Sequence, residues 1–431
     1  MLTRIPKGTK DVLPPESARY QAMEALMREK ARLAGYEEIR TPVFEHTELF
    51  TRSAGASSDV VRKEMYTFLD KGGRSITLKP ETTAGAVRAF IESGLYAQAL
   101  PLKLYYLYAP HFRYEAPQSG RLREHHQFGM ECFGAKEASA DAELILTAMD
   151  VLTGVGLQGV ALRINSIGCP KCRPAYQEKL RAFLNERRDK LCKDCQERID
   201  LNPLRVLDCK NPECQAEITD APRMIDSLCD ECHDHFEELK RYLTAAGVPY
   251  VVDTGIVRGL DYYTKTVFEL TAETPNGTMT ACGGGRYDKL VEEIGGPDIP
   301  AVGFGMGMER VLLLLDLLPQ EEHKLRPISS APDVFVASLD RQLALNAFEL
   351  TMAFRHAGLK ADMDHAGRSL KAQFKYADKL TAAYVAVLGG DEIAKGVVKL
   401  RNMSTKEEKE VSLADAPEVL RKLIRNRNEE E

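Results

Sequence analysis

No run of about 18 apolar residues occurs in this chain of 431, so no membrane span is expected. The longest apolar stretch, residues 311–318, is broken by Asp316 and reads as one buried helix. The opening residues, Met1-Leu2-Thr3-Arg4-Ile5-Pro6-Lys7, carry no apolar segment of the kind that directs secretion, and the chain is expected to stay in the cytoplasm. A surplus of positive charge is missing as well: 58 Lys and Arg stand against 64 Asp and Glu, for a net charge of −6. That weighs against nucleic-acid binding through a globally basic surface. It leaves local patches, whose hold would weaken with salt as counterions are released. No internal repeat occurs, and low complexity is confined to residues 426–431. Cysteine is scarce outside one segment, with Cys132 and Cys282 lying beyond residues 169–232 and reading as core residues. What is present, 44% hydrophobic and 28% charged, is a globular composition, long enough for about two to three domains.

The densest chemistry lies in Phe112-Arg113-Tyr114-Glu115-Ala116-Pro117-Gln118-Ser119-Gly120-Arg121-Leu122-Arg123-Glu124-His125-His126-Gln127-Phe128. A loop built on Pro117 and Gly120 interrupts two strand-like runs and gathers Arg113, Arg121 and Arg123, with Glu115 and Gln127 close by. Guanidiniums collected on one hairpin suit a polyphosphate, because each offers a planar fork of donors to phosphate oxygens. Downstream, Gly303-Phe304-Gly305-Met306-Gly307-Met308-Glu309-Arg310 is a glycine-rich strand running into the apolar helix Val311-Leu312-Leu313-Leu314-Leu315.

These two segments, with Tyr36-Glu37-Glu38-Ile39-Arg40-Thr41-Pro42, resemble the three signature motifs of class II aminoacyl-tRNA synthetases. Arg258-Gly259-Leu260-Asp261-Tyr262-Tyr263 and Gly283-Gly284-Gly285-Arg286-Tyr287-Asp288 are similar to the two histidine-specific signatures of the bacterial-type histidyl-tRNA synthetase family. Lys7-Gly8-Thr9-Lys10-Asp11-Val12-Leu13-Pro14 resembles that family's N-terminus. The motifs stand in the family's order from residue 7 to residue 310, so the resemblance spans nearly the whole chain.

Residues 16–34 place Tyr20, Met23, Ala25, Leu26 and Leu33 at helical spacing and stop at Gly35; residues 39–44 are strand-like. In the resembling family this helix and strand, with a proline matching Pro42, form a homodimer interface. Residues 51–61, small and polar, read as a mobile loop. Residues 76–83 predict a strand entering a helix, with Thr82 or Thr83 as N-cap. Strands are predicted over 102–108, 128–133, 162–165, 250–252, 267–270 and 278–281, and a helix over 141–152. Residues 169–232 interrupt them with many charges and few strand signals, as an inserted module would. The division read from this is a split catalytic domain (1–168 and 236–325), a Cys-rich insertion (169–235) and a C-terminal domain (326–431), with the linker at 323–331. Beyond the linker, strands at 334–337, 360–363, 384–388 and 397–400 alternate with helices, which predicts an α/β domain with a largely parallel sheet.

The resemblance implies an α+β fold: an antiparallel catalytic sheet with flanking helices, the Cys-rich insertion and an α/β anticodon-binding-like domain. It implies ATP-dependent attachment of L-histidine to tRNA(His) through an adenylate, with Mg²⁺ accompanying ATP. Joining a carboxylate to the α-phosphate brings two anions together, so fixed cations matter more than proton transfer. Arg113 matches the clamp on carboxylate and α-phosphate, and Arg258 the arginine that stands where other class II enzymes hold a metal ion. Taken alone, Arg258 would equally suit a salt bridge to Asp261. Glu115 matches the reader of the adenine amine, Arg121 a γ-phosphate contact, and Arg310 a planar cation over adenine. Glu131 and Tyr263 match the groups that read the imidazole, with Tyr262 and Tyr287 lining the pocket. Glu81, Thr82, Thr83 and Gln127 match those that hold the amino acid's own amino and carboxylate groups. As strand neighbours, Tyr262 and Tyr263 would point to opposite faces. Two positions depart from the family: His125 stands where an aromatic ring stacks on adenine, and Ala116 where relatives carry arginine in the loop that meets tRNA. Gln118, Ser119 and Arg123 are left for that contact.

The remaining cysteines fall in four close pairs: Cys169 with Cys172, Cys192 with Cys195, Cys209 with Cys214, and Cys229 with Cys232. Such pairs have the spacing of zinc knuckles and ribbons, and a reducing cytoplasm disfavours disulfides. Two all-thiolate sites, one site with spare thiols, or a set of free thiols all fit the spacing, and His233 and His235 are available as substitute ligands. The adenylation chemistry needs no such metal, so its role would lie in folding. Arg368, Lys371, Lys375 and Lys379 recur every three or four residues and are candidate phosphate contacts. Two rival functions remain: a regulatory paralogue without catalysis, and a synthetase for another amino acid. The intact Arg113, Arg258 and Arg310 and the C-terminal domain argue against the first, and residues 258–263 against the second.

Overall fold

The computed structural model describes residues 3–430 except 56–57, 115–116, 118–121, 276, 318–324 and 328, and at 426–430 it describes the backbone alone. The chain forms two units, Met1–Ile328 and Ser329–Glu431. The strands of the first are β1 (Glu37–Glu38), β2 (Phe44–His46), β3 (Tyr66–Leu69), β4 (Ser75–Leu78), β5 (Leu102–Phe112), β6 (Glu124–Phe133), β7 (Ala161–Ser166), β8 (Tyr250–Val252), β9 (Thr264–Thr274), β10 (Gly277–Arg286) and β11 (Ala301–Gly307). Eight of them form one sheet in the order β1-β5-β6-β11-β10-β9-β7-β8. Its interior pairs are antiparallel and its two edge pairs parallel. A second, three-stranded sheet has the order β2-β4-β3.

Period-two alternation decides what each face of the large sheet carries. On β11, Val302, Phe304 and Met306 enter the main core, and on β6 so do Phe128, Met130 and Cys132. The helices Glu16–Leu33, Ala138–Val155 and Met308–Leu315 cover that face, burying Met23, Met27, Leu144, Ile145, Val151, Val311 and Leu314. The intervening positions, Gly303, Gly305 and Gly307 on β11 and Gln127, Gly129 and Glu131 on β6, are thereby left for the opposite face. There the helix Thr83–Glu92 packs Phe90 on Phe133, with rings stacked 4.5 Å apart.

Several local expectations need correction. Residues 39–43 are not a strand: Ile39 donates its amide to Tyr105 and the chain then turns outward past the exposed Pro42. The loop expected at 51–61 begins inside the helix Thr47–Ser53 and ends in a π-turn, Val60–Glu64. Thr82 occupies the N-cap of the helix Thr83–Glu92, yet its hydroxyl lies 2.8 Å from His111 Nε2, and Glu81 Oε1 accepts from the Ala84 amide at 2.9 Å instead. The cysteine-rich stretch is helical, with its own apolar core of Tyr176, Leu180, Leu184, Ile199, Leu204 and Val206 around the thiols. Its last helix, Asp230–Ala245, runs on to pack Phe236, Leu239 and Leu243 into the main core.

The second unit has one sheet in the order β13-β12-β14-β15-β16, with β12 (Val334–Ser338), β13 (Ala361–Met363), β14 (Tyr384–Leu388), β15 (Val397–Asn402) and β16 (Glu408–Ser412). Only half of its pairings are parallel: β12 with β13 and with β14. Glu408–Ser412 carries three charged or polar exposed residues in a row and gave no apolar signal, so the antiparallel edge it adds was not foreseen. The interior strand β12 is buried on both faces, Val334 and Val336 in one core, Phe335 and Ala337 in the other, as its unbroken apolar run requires.

Candidate active site

Glycines of β10 and β11 leave room for the side chains of their neighbours. A Cβ on Gly303 would lie 1.7 Å from Glu131 Oε2, and one on Gly283 would lie 2.5 Å from Arg258 Nη2. Any side chain at Gly303 would displace the Glu131 carboxyl, and any at Gly283 the Arg258 guanidinium. That steric demand, more than backbone freedom, accounts for these two glycines.

At the inner end, Glu131 is 1% exposed and accepts hydrogen bonds from Thr83 Oγ1 at 2.7 Å and from the Tyr287 hydroxyl. Burial pushes its carboxyl up to about 8, against the pull of those donors. Tyr262 and Tyr263 are both buried, with rings 4.7 Å apart, and Tyr262 meets Tyr287 edge-on at 5.6 Å. The alternative of strand neighbours on opposite faces does not apply, because residues 261–263 precede β9 in a turn. Tyr106 closes the pocket over Gly129, where a Cβ would lie 2.2 Å from its ring. Glu81 lies nearby, its carboxyl raised by burial; its Oε2 is buried and has no hydrogen-bond partner among the described residues.

At the outer end, Arg113, His125, Gln127, Arg258 and Arg310 line a single cleft of about 300 Å³. Arg113 donates through Nε to the Pro80 carbonyl at 3.0 Å and stands 3.8 Å from Glu64 Oε2. Arg258 pairs through Nη1 with Glu269 Oε1, and Glu269 Oε2 accepts from Thr280 Oγ1 at 3.1 Å. Asp261 accepts instead from Asn202 Nδ2 at 2.9 Å. Arg310 donates to the Thr280 carbonyl at 3.1 Å. Burial, then the charges of Arg113 and Arg310, push the His125 imidazole down to about 3. It is therefore a neutral ring at physiological pH. Its neighbour His126 stacks on Tyr108 at 3.9 Å and is fixed by Glu309 at 2.8 Å.

The cleft thus collects four guanidiniums, Arg205 with Arg113, Arg258 and Arg310, against a buried carboxyl–phenol pocket, a geometry suited to two anions joining beside a small polar ring. Glu64, Glu269, Glu309 and Tyr106 were not foreseen. Glu269 sits at an alternate position of an apolar strand, a signal that could have marked it; the others gave none. Glu115, Ala116, Gln118, Ser119 and Arg121 lie outside the described residues. Arg123 is held by its amide on the Gly8 carbonyl at 2.7 Å, with its guanidinium 4.3 Å from the Tyr114 ring centre. Arg286, in the second histidine-like signature, is fully buried against Asp141 at 2.7 Å and so braces the fold behind the pocket.

The cysteines gather in two fours, Cys169, Cys172, Cys229 and Cys232, and Cys192, Cys195, Cys209 and Cys214. Within each, all Sγ atoms lie within 4.8 Å of one another, and either four could hold a metal ion. His233 and His235 belong to neither group; His235 Nε2 faces Asp141 at 3.3 Å. In the second unit, Lys371, Lys375 and Lys379 lie exposed along the helix Leu370–Lys379. Arg368 precedes that helix, bound to Asp364 at 2.6 Å and lying over Tyr376 at 4.2 Å.

The sequence matches the family model described as histidyl-tRNA synthetase over residues 8–311 and the one described as anticodon binding domain over residues 333–423. It is 55% identical over 421 residues to the histidine–tRNA ligase of Caldanaerobacter subterraneus subsp. tengcongensis, covering 98% of this chain and 100% of that relative. With the histidine–tRNA ligase of Moorella thermoacetica it shares 49% over 423 residues, 98% and 99% of the two chains. Among solved structures, the apo histidyl-tRNA synthetase of S. aureus matches with a TM-score of 0.82 at 38% identity over 97% of this chain and 100% of that one. A structure described as an ATP phosphoribosyltransferase regulatory subunit/histidyl-tRNA synthetase from Bacillus halodurans C matches at 23% identity with a TM-score of 0.59, covering 87% and 97%, a likeness of fold alone.

Proposed function

The chain belongs to the histidyl-tRNA synthetase family, and from that premise we propose how its cleft divides the work. The activity is ATP-dependent attachment of L-histidine to tRNA(His) through histidyl-adenylate, with release of AMP and pyrophosphate. The observation that carries the assignment of roles is that Arg113, Arg258 and Arg310 line one cleft beside the buried Glu131. Arg113 and Arg258 clamp the reacting carboxylate and α-phosphate, where their fixed charge offsets the repulsion between two anions and the charge that develops as pyrophosphate leaves. Arg310 and the neutral His125 enclose adenine, with Glu115 reading its amine and Arg121 on the γ-phosphate. Glu131, Tyr262, Tyr263 and Tyr287 read the imidazole, while Glu81, Thr83 and Gln127 hold the α-amino and carboxylate groups. The partnerless Glu81 Oε2 supports this, because a buried carboxylate oxygen suits an ammonium group. Thr82 acts through His111, to which its hydroxyl is committed. Mg²⁺ accompanies ATP and neutralises phosphate charge.

Amino-acid-dependent pyrophosphate–ATP exchange tests this reading. Exchange is expected with L-histidine and with no other amino acid; no exchange with any, from folded protein, would transfer the chain to the regulatory paralogues.

The finer assignments rest on surface and chemistry. Gln118 and Arg123 meet the acceptor end of tRNA(His), and Lys371, Lys375 and Lys379 its anticodon arm. The protein works in the cytoplasm as a homodimer. Phe44 on β2 and Phe68 and Leu69 on β3 are 52%, 49% and 70% exposed, with Val43 beside them, an apolar strip that a second copy would cover. Sedimentation should then give twice the 48.0 kDa chain mass, and Phe44→Ser with Phe68→Ser should give the single-chain mass. Each cysteine four takes one structural Zn²⁺. A thiolate tetrahedron with Zn–S near about 2.3 Å has edges of about 3.8 Å. The spacings 169–172 and 169–229 are both 3.8 Å, and 172–232 and 192–209 are both 3.9 Å.

A further inference from the structure

Residues 253–263 run from β8 to β9 without forming a helix or strand, yet they carry Arg258 at their middle and the pocket rings Tyr262 and Tyr263 at their far end. Something outside the sheet has to fix them. We infer that the two cysteine centres do so: they are the anchors of Arg173, Asn202 and Arg205, which act as positioning residues for the 258–263 segment. The inference rests on the reading above that both fours bind zinc.

The contacts are specific. Arg205 is 9% exposed and donates through Nη1 to the Gly259 carbonyl at 2.8 Å, next to Arg258. Its Nη2 bonds Asp59 Oδ2 at 3.0 Å, and Arg198 Nη2 reaches the same oxygen at 2.7 Å, so the loop before Glu64 is tied to the same point. Asn202 holds the Asp261 side chain. Arg173 donates through Nη2 to the Tyr263 carbonyl at 2.6 Å. Both ends of the segment are therefore gripped from the insertion, by guanidiniums whose planar forks bridge two backbone or carboxylate acceptors.

The sulfurs frame these residues. Arg198, Asn202 and Arg205 all lie between Cys195 and Cys209, the two inner members of one four; Arg173 directly follows Cys172 of the other. The helix Lys193–Leu201 and the 3₁₀ turn Pro203–Val206, which bear Arg198 and Arg205 and flank Asn202, are too short to persist alone, since isolated helices under about 12 residues are marginal. Cys195, Cys209 and Cys214 are themselves part of the small core that packs them. Small domains of this kind depend on a staple, and metal binding there is folding free energy. Coordination at the second four therefore orders Arg205, Arg205 orders Gly259, and Arg258 is aimed into the cleft. The first four does the same for Tyr263 through Arg173.

The experiment uses the full-length protein as purified, with zinc counted by atomic emission. Two zinc ions per chain are expected. Arg205→Gln should keep both, melt close to the parent, and lower kcat for histidine-dependent exchange by about 10–100-fold, because a misplacement of about 1 Å costs roughly that much. Because Arg205 also lines the cleft, the deciding readout is structural: hydrogen exchange of residues 256–263 should speed up, and Arg205→Lys, which reaches one acceptor, should recover part of the rate. Cys209→Ser should lose one zinc ion and show the same exchange and kcat changes. Full activity of Arg205→Gln with both zinc ions bound would overturn the inference and leave the metal reading standing. A fully active parent with no bound zinc would remove the metal reading and the inference together.

Discussion

Arg258→Ala is expected to lower histidine-dependent pyrophosphate–ATP exchange by about 10³-fold, the loss typical of removing one preorganised charge donor from a developing anion. Arg258 is crowded against Gly283 and paired with Glu269, so its guanidinium is held in place before substrate arrives and needs no reorganisation during the reaction. Substitution by alanine also strands Glu269, a partly buried carboxylate, and that alone costs stability. The pair Arg258→Ala with Glu269→Gln separates the two effects: it should restore the melting temperature toward the parent and leave exchange as slow as in the single variant. Arg258→Lys keeps the charge but cannot fork between Glu269 and a phosphate oxygen, and an intermediate loss is expected. If the double variant recovers exchange along with stability, Arg258 serves the fold and not the phosphorus.

Much of this site was legible because its chemistry is written at close sequence spacing. The alternation Val302-Gly303-Phe304-Gly305-Met306-Gly307 separates core from cleft by the pleat alone, and the structure places the three large residues in one core. The cysteine pairs announced metal-binding capacity, but not which pairs combine. Cys169 and Cys172 join Cys229 and Cys232 across about sixty residues, while the two inner pairs join each other, and no spacing rule decides between such partitions. What stayed hidden is mostly the work of acidic partners. Glu64, Glu269 and Glu309 acquire meaning only when the sheet brings Arg113, Arg258 and His126 beside them, at separations in sequence of up to 183 residues. Residues 39–43 misled for a related reason: apolar and β-branched side chains gave a strand signal, but Pro42 supplies no donor and the segment leaves the sheet after one amide bond.

Glu131→Gln is the second large effect, and it reads specificity. A buried carboxyl between Thr83, Tyr287 and the site of the imidazole fixes the polarity of a pocket too small to be forgiving. The amide is nearly isosteric but presents a donor where the carboxyl presents an acceptor, so one buried polar group is left facing its like. The KM for histidine should rise by about 10²-fold or more, as expected where a hydrogen-bonded pocket loses its match, while the KM for ATP changes little. A pH signature distinguishes this from a general loosening of the site. The folded carboxyl titrates at about 8, above its ordinary 4.5, so between those values the folded state binds the proton more tightly than the unfolded state does. The stability contributed by the protonated group is complete below pH 4.5 and is lost as pH rises toward 8, at up to about 1.4 kcal/mol for each pH unit. Glutamine cannot ionise and escapes that loss. In ligand-free protein the variant should therefore gain stability on the parent steadily from pH 5 to pH 8, by a few kcal/mol in total, as urea unfolding at each pH would record. Parallel pH profiles for the two proteins would mean that Glu131 is already ionised in the empty pocket, held so by its two hydroxyl donors, and that the pocket reads the imidazole with a fixed negative charge.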